Sequence, residues 1–433
     1  MNNRVIKNAT WIIICKAAQS IIAIVLSAIT ARYLGPADFG VINYAASIVS
    51  FVVPIMYLGI NAVLVHELIE NKAEDEGKIL GTAIVLSVIS ALLCMGGIFA
   101  FVNVVNSGES VVILVTALYS TLLLFQAIDL IQYWFQAKLL SRYTSIFALI
   151  AYLLVSIYKI LLLIQGKNVF WFAITQPIDY MIIAISLLIV YKRQGGNQLA
   201  FDRLVAKRLL AKGKYYIISG LMVNIYAQTD RIMLKLLIDD VSTGYYSAAI
   251  TCVGYSSFLF TAIIDSCRPI ILENYKKNKK TFEESLMSLY SIVFYLSLLQ
   301  GILMSVLATV LVTIMFGVAY LPSAEILRIL VWYSMFSYLG GAKDIWVLAE
   351  GKQKYLLILN ISGVVVNIVL NISLIPMFGP CGAAIATLCT QLLTNVVIGL
   401  TIPALRRNSV LILRSIYPKA LLMQIFRSRR SIK

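Results

Sequence analysis

Long apolar runs alternate with short polar breaks along almost the whole chain. A helix rises about 1.5 Å per residue, so about 20 apolar residues cross a hydrocarbon layer about 30 Å thick. Runs of that length predict spans over 10–34, 41–65, 79–103, 111–135, 144–165, 169–191, 214–238, 245–270, 286–316, 324–350, 355–377 and 382–404. The runs are continuous rather than alternating, which excludes a membrane β-barrel. The run 286–316 is longer than one crossing needs and is expected to tilt or bend near Gln300-Gly301. The pattern predicts an all-α polytopic membrane protein of about twelve transmembrane helices. The longest break, 192–213, leaves six spans on either side. The expected organisation is a six-helix bundle over 1–200, a second over 201–405, and a basic tail over 406–433.

An even number of spans returns both termini to one side, and the basic residues say which. With Arg4 and Lys7 placed in the cytoplasm, the same side receives Lys72, Lys78, Lys138 and Arg142. It also receives the basic cluster from Lys192 to Lys214, then Lys276, Lys277, Lys279, Lys280, Lys352 and Lys354. The opposite loops hold little beyond Lys167. Basic residues favour the cytoplasmic loops, so both termini are expected there. The tail over 408–433 mixes bases with apolar residues and contains Pro418, too broken a pattern to span. It suits either an interfacial segment on anionic lipid or a solvated tail.

Composition narrows the classes further. Of 433 residues, 60% are hydrophobic and only 13% charged. Lys and Arg exceed Asp and Glu by 36 − 20 = +16. This excludes a soluble enzyme, a disordered chain and a disulfide scaffold. The bases sit between apolar runs, so no nucleic-acid partner is expected. All six cysteines lie in or beside spans without a Cys-x-x-Cys pair, and His66 is the only histidine. Neither a metal site nor a cofactor is expected from such a set. Phosphate-loop, serine-elbow and zinc-protease motifs are absent, and no loop is long enough for a catalytic domain, so no catalytic residue is assigned.

Charges inside spans face bundle interiors, face watery cavities or reach the interface. Here they are Lys16, Arg32, Asp129, Lys159, Asp179, Asp230, Arg231, Lys235, Asp265, Arg268, Arg328, Lys343 and Asp344. Arg32, Lys235, Arg328 and Lys343 lie near span ends, where snorkelling is the first reading. Lys159, Asp179 and the Asp230-Arg231 pair lie deeper. They suit either interhelical ion pairs, such as Lys159 with Asp179, or a cavity for a charged cargo with a titratable carboxylate. Asp265 and Arg268 share a helix face and can neutralise each other. Asn360, Asn367 and Asn371 mark one side of span eleven, and Gln391 and Asn395 mark span twelve. Such a polar face serves interhelical hydrogen bonding or lines a pathway.

Three segments carry a family resemblance. Arg32-Tyr-Leu-Gly-Pro-Ala-Asp-Phe-Gly40 resembles the first-loop signature of the Wzx-type polysaccharide flippases. Thr229-Asp-Arg-Ile-Met-Leu234 with Thr243-Gly-Tyr-Tyr-Ser-Ala-Ala249 resembles their seventh-span region. Gly351-Lys352, Asn367 and the stretch from Asn371 to Thr387 resemble their span eleven–twelve block. The resemblance implies the exporter fold shared with multidrug (MATE) transporters, two six-helix bundles with alternating access. It implies a bacterial inner-membrane protein that moves an undecaprenyl-diphosphate-linked oligosaccharide for O-antigen or capsule assembly, with suspected cation coupling. Membrane lipids and the polysaccharide polymerase and chain-length machinery are the implied partners. Candidate cargo contacts are Arg32, Lys159, Arg231 and Arg268; candidate coupling carboxylates are Asp179 and Asp230. Lys235 departs from the family pattern, which more often has Gly there. The rival expectations are a drug or metabolite antiporter of the same fold and a membrane polysaccharide polymerase.

Overall fold

A single residue reverses the first apolar run. In the computed structural model, which describes residues 3–417, helix α1 covers Asn3–Met56 but is broken at Gly35, with φ 73° and ψ 173°. Only glycine takes that conformation without strain, and Pro36 begins the next helix with its φ already set. A turn at Leu58-Gly59 then leads into α2 (Ile60–Glu70), which completes the second crossing.

The other crossings follow in chain order. α3 (Glu76–Val105) is the third. α4 (Ser110–Ser120), α5 (Leu122–Ile128), a 3-10 turn (Asp129–Ile131) and α6 (Gln132–Ala137) make the fourth. α7 (Ser141–Ile164) is the fifth, and α8 (Val169–Ala173) with α9 (Thr175–Arg193) the sixth. α10 (Arg203–Leu237) is the seventh, and α11 (Asp240–Gly254) with α12 (Ser257–Lys277) the eighth. α13 (Lys279–Phe316), α14 (Ser323–Ala349) and α15 (Lys354–Phe378) are the next three. α16 (Pro380–Leu392), a π-helical turn (Leu393–Val397) and α17 (Ile398–Thr401) form the twelfth.

Among the described residues, nine stretches are long and apolar enough to cross a membrane. The first, Ile14–Glu70, has 57 residues and supplies two crossings. The more polar α10 and α14, of 35 and 27 residues, supply the last two. The expected bend at Gln300-Gly301 does not interrupt α13. Gly301 instead leaves room for the Trp332 ring, and Gln300 donates to Ser256 Oγ at 2.6 Å. A long helix can tilt instead of bending.

Contacts divide the chain into two units, Met1–Gln228 and Thr229–Lys433, with the boundary inside α10. The first unit packs Ile60, Leu64, Leu80, Trp134, Phe135 and Tyr191 into one core. The segment between α9 and α10 is tied to it. Ala200 N–H donates to the Gly77 carbonyl at 3.3 Å, and Asp202 N–H to Thr82 Oγ1 at 2.9 Å. Asp202 then caps α10, accepting from the Leu204 and Val205 amides at 2.7 and 3.0 Å. Those amides hold its carboxyl below the usual carboxylate range. Buried Glu67 binds Arg208 at 3.0 Å and Lys212 at 2.5 Å.

The second unit centres on Phe282, Leu286, Tyr290, Leu339 and Trp346. Beyond the last crossing, α18 (Pro403–Ser415) is amphipathic and docks on α13. Tyr290 donates to Asn408 at 2.6 Å, Ser291 to the Ser415 carbonyl at 2.9 Å, and Arg407 pairs with Glu283 at 2.5 Å. Within the tail expected over 406–433, residues 406–415 therefore belong to a docked helix. Residues 418–433 lie outside the described residues.

Candidate functional site

The most enclosed carboxylate of the second unit is Asp230, on α10 and 5% exposed. Asn367 and Asn371 are one helical turn apart on α15, so both amides reach the same point. They donate to Asp230 Oδ1 at 3.2 and 2.7 Å. On the other oxygen, Tyr246 of α11 donates at 2.5 Å and Thr387 of α16 makes a short hydrogen bond. A bare α-carbon at Gly382 lets α16 start close against the Leu374 carbonyl of α15. Four helices thus converge on one buried charge.

This ring combines a carboxylate with amide and hydroxyl oxygens. Asn371 also donates to Asn367 Oδ1 at 3.1 Å, while its own Oδ1 is buried without a hydrogen-bond partner. Amide orientation is assigned from such networks, and a half-turn exchanges each nitrogen for an oxygen. Turned that way, the ring offers only hard oxygen donors, the set that suits a proton or an alkali cation. Among the described residues, no group of His, Cys, Asp and Glu has the make-up of a transition-metal site.

The first unit holds a separate cluster. Asp129, 6% exposed, sits in the 3-10 turn and accepts from Gln132 at 2.6 Å on Oδ2. Its Oδ1 is buried and unpartnered, as are Asp179 Oδ1 and Gln126 Oε1. The charges of Asp129 and Asp179 act on each other, and Lys159 of α7 acts on Asp179. The Lys159–Asp179 ion pair, one of the two readings of those charges, is not formed; their charges interact at longer range. A cavity of about 300 Å³ opens beside this cluster, lined by Lys16, Tyr57, Asp129, Gln132, Thr144 and Tyr180.

The structure therefore places Lys159 and Asp179 near each other in the first unit and encloses Asp230 in the second. Arg231 is half-buried beside Asp230 in sequence. Arg32 is exposed, close to the Gly35 break. Arg268 pairs with Asp265 at 3.5 Å, both about half exposed.

Two expectations of snorkelling are corrected. Lys235 is buried and binds Asp240 at 2.8 Å, because α11 begins close enough to offer that carboxylate. Lys343 is 5% exposed and donates to Asn395 Oδ1 at 2.9 Å, beside the π-helical turn. The neighbouring α16 and π turn cover it, so its ammonium does not reach an interface. Sequence reasoning placed Asp129 among the charges but not at a site, and it missed Tyr246 and Thr387. Tyrosines and threonines are common in membrane helices, so only their place in the segments that carry the resemblance marked those two.

The fold defines the class first: an all-helical, multi-pass membrane protein. A family model described as "Polysaccharide biosynthesis protein" matches residues 5–274, more than half of the chain, and the chain belongs to that family. No curated protein sequence matches it. Among solved structures, "Lipid II flippase MurJ, inward closed conformation" superposes with a TM-score of 0.72 at 14% identity, covering 96% of this chain and 91% of that one. An inward-facing multidrug resistance MATE family transporter of the MOP superfamily gives 0.66 at 14% identity, covering 91% and 95%. At such identity both likenesses show the fold. Its known examples here are a flippase and a transporter rather than enzymes.

Proposed function

We propose that the protein flips an undecaprenyl-diphosphate-linked oligosaccharide repeat unit across the bacterial cytoplasmic membrane by alternating access, for O-antigen or capsule synthesis. Family membership supports a polysaccharide role, and the flippase fold supports a lipid-linked cargo. The observation that carries the coupled mechanism is Asp230, a carboxylate fully enclosed by four neutral donors.

A buried carboxylate is expensive unless something balances it. A proton or alkali cation bound at Asp230 does so, and its arrival and departure change how α10, α11, α15 and α16 hold together. Binding energy that differs between two states is what shifts their populations. Asp230 is thus the coupling carboxylate of this reading, with Asp179 as its counterpart in the first unit. Arg231 and Lys159, with Arg32 and Arg268, supply positive charge for the diphosphate or for acidic sugars. Membrane lipid takes the polyprenyl tail, and polymerase and chain-length proteins receive the cargo on the far side.

The test is deletion of the gene in its host, followed by analysis of surface polysaccharide and undecaprenyl-linked intermediates. Loss of polymer with repeat units held at the cytoplasmic face is the expected result. Unchanged polymer and intermediates, in a host without a second flippase, would overturn the reading and favour a drug antiporter.

A further inference from the structure

The cavity of the first unit is walled largely by polar side chains, where helices in a membrane could have packed apolar ones. It occupies about 300 Å³, at the lower end of the range for small-ligand pockets. Asp129 and Gln132 line it from the 3-10 turn and α6, Thr144 and Ser145 from the start of α7, and Lys16 and Gln19 from α1. Residues 138–140 alone separate α6 from α7, and their side of the membrane is the one expected to be cytoplasmic. The cavity therefore lies towards the cytoplasmic end of the unit.

Most of the hydrogens on this wall are already spent. Thr144 and Ser145 both donate to the Ser141 carbonyl, at 2.7 and 3.1 Å, and Gln132 donates to Asp129 Oδ2 at 2.6 Å. What remains is oxygen: the lone pairs of the two hydroxyls, the Gln132 carbonyl, and Asp129 Oδ1, which has no hydrogen-bond partner. A buried acceptor without a donor is rare and calls for one. The Lys16 ammonium and the Gln19 amide supply donors. Asp129 and Lys16 bring one charge of each sign, and among the described residues they form no ion pair with each other. A cation entering would meet Lys16, and a phosphate would meet Asp129. An uncharged ligand rich in hydroxyl groups suits the wall, because each hydroxyl both donates and accepts. The rings of Tyr57 and Tyr180 add apolar surface for the C–H faces of a sugar ring.

We infer that this cavity is a monosaccharide subsite, in which Asp129 accepts from sugar hydroxyls and Lys16 and Gln19 donate to them. It is separate from the Asp230 ring, whose partners all belong to the second unit. That the sugar is part of the cargo's head rests on the proposed flipping, whereas binding of a sugar at the site does not. A site that hydrogen-bonds hydroxyls discriminates strongly against ligands lacking them, so this cavity sets which sugars the first unit accepts.

Thiol protection in the purified full-length protein tests the site, in a detergent without sugar. Ser145→Cys and Thr144→Cys are made separately in a background without the native cysteines, and their rates of maleimide labelling are timed. The probe is the set of monosaccharides released by acid hydrolysis of the host's own surface polysaccharide; tetraphenylphosphonium serves as an organic cation. At least one of the sugars is expected to slow labelling at both positions. Adding Asp129→Asn keeps the bond from Gln132 but turns the free acceptor into a donor, so about tenfold more sugar should be needed for the same protection. Asp230→Asn should leave protection intact. Lys16→Met is the second variant and should also weaken protection; an unchanged labelling rate without sugar shows that the cavity is preserved in each. No slowing at either position, or slowing that both Asp129→Asn and Lys16→Met leave unchanged, would overturn the inference. So would protection by tetraphenylphosphonium where the sugars give none. These outcomes stand whatever the deletion strain shows about flipping.

Discussion

Replacing Asp230 by asparagine separates the coupling role of the ring from its structural one. Asp230 Oδ1 accepts from two amides, and the asparagine oxygen can still accept both. Oδ2 accepts from the hydroxyls of Tyr246 and Thr387, and hydroxyls can reverse and accept from the new N–H groups. All four hydrogen bonds therefore survive but lose their charge assistance. A bond to a charged group contributes about 1.5–3 kcal/mol and a neutral one about 0.5–1.5, so the loss is about 1 kcal/mol per bond, or about 4 in all. Against this stands the desolvation penalty of a buried carboxylate, which is itself several kcal/mol. The two nearly cancel, so Asp230→Asn should melt within a few degrees of wild type. Leucine leaves four buried donors without an acceptor, at about 1–3 kcal/mol each, and Asp230→Leu should melt far lower or fail to accumulate. The assay pairs thermal unfolding in detergent with complementation of the deletion strain at matched protein level. Asp230→Asn should be stable and inactive in flipping. Full flipping by Asp230→Asn, or equal melting of the two variants, would refute the reasoning.

Other perturbations test the packing. A methyl on Gly213 would run into the Leu58 carbonyl, whereas one on Gly97 meets nothing within 4 Å. Gly→Ala in a helix gains about 1 kcal/mol, and overpacking against backbone loses about 1–3, so Gly213→Ala should lower the melting temperature while Gly97→Ala does not. Glu67→Gln removes the charge between Arg208 and Lys212. Because both cations are nearly half exposed and can rehydrate, the expected loss is about 1–3 kcal/mol rather than that of a fully buried pair, read as a lower denaturation midpoint. Asp202 has its folded-state carboxyl held low, so its contribution is present above the ordinary carboxylate range and is lost as pH falls through the depressed value. Melting curves taken down the acid range should fall less steeply for Asp202→Asn than for wild type.

Much of the architecture was legible because membrane crossing constrains composition so strongly. The Gly35-Pro36 reversal stood out as a break in apolar sequence, and the span count followed from length alone. Asp230, Asn367 and Asn371 were visible because polar groups are scarce in spans and two of them sit one turn apart. Their partners lay in the segments that carry the resemblance but showed no role there: Tyr246 and Thr387 become significant only when α11 and α16 bring them to the same carboxylate. Asp129 lay near the predicted end of span four, where a charge attracts little notice, and the 3-10 turn buries it. Lys343 looked similar, yet its distance from water depends on helices that follow it in the chain. Position along a span measures depth along one axis, whereas enclosure depends on neighbours from elsewhere in the sequence.

The tightness of the reversals bears on how the sidedness of the chain can be mapped. At Gly35 and at Gly379 one residue separates consecutive helices, so an epitope or protease site placed there would pry open a helical hairpin. Roomier positions exist on each side. Ser107 lies exposed in the connection between α3 and α4, and Asn278 lies exposed between α12 and α13. Single thiols at Ser107→Cys and Asn278→Cys, in a background without the six native cysteines, would be labelled from opposite faces of a sealed vesicle.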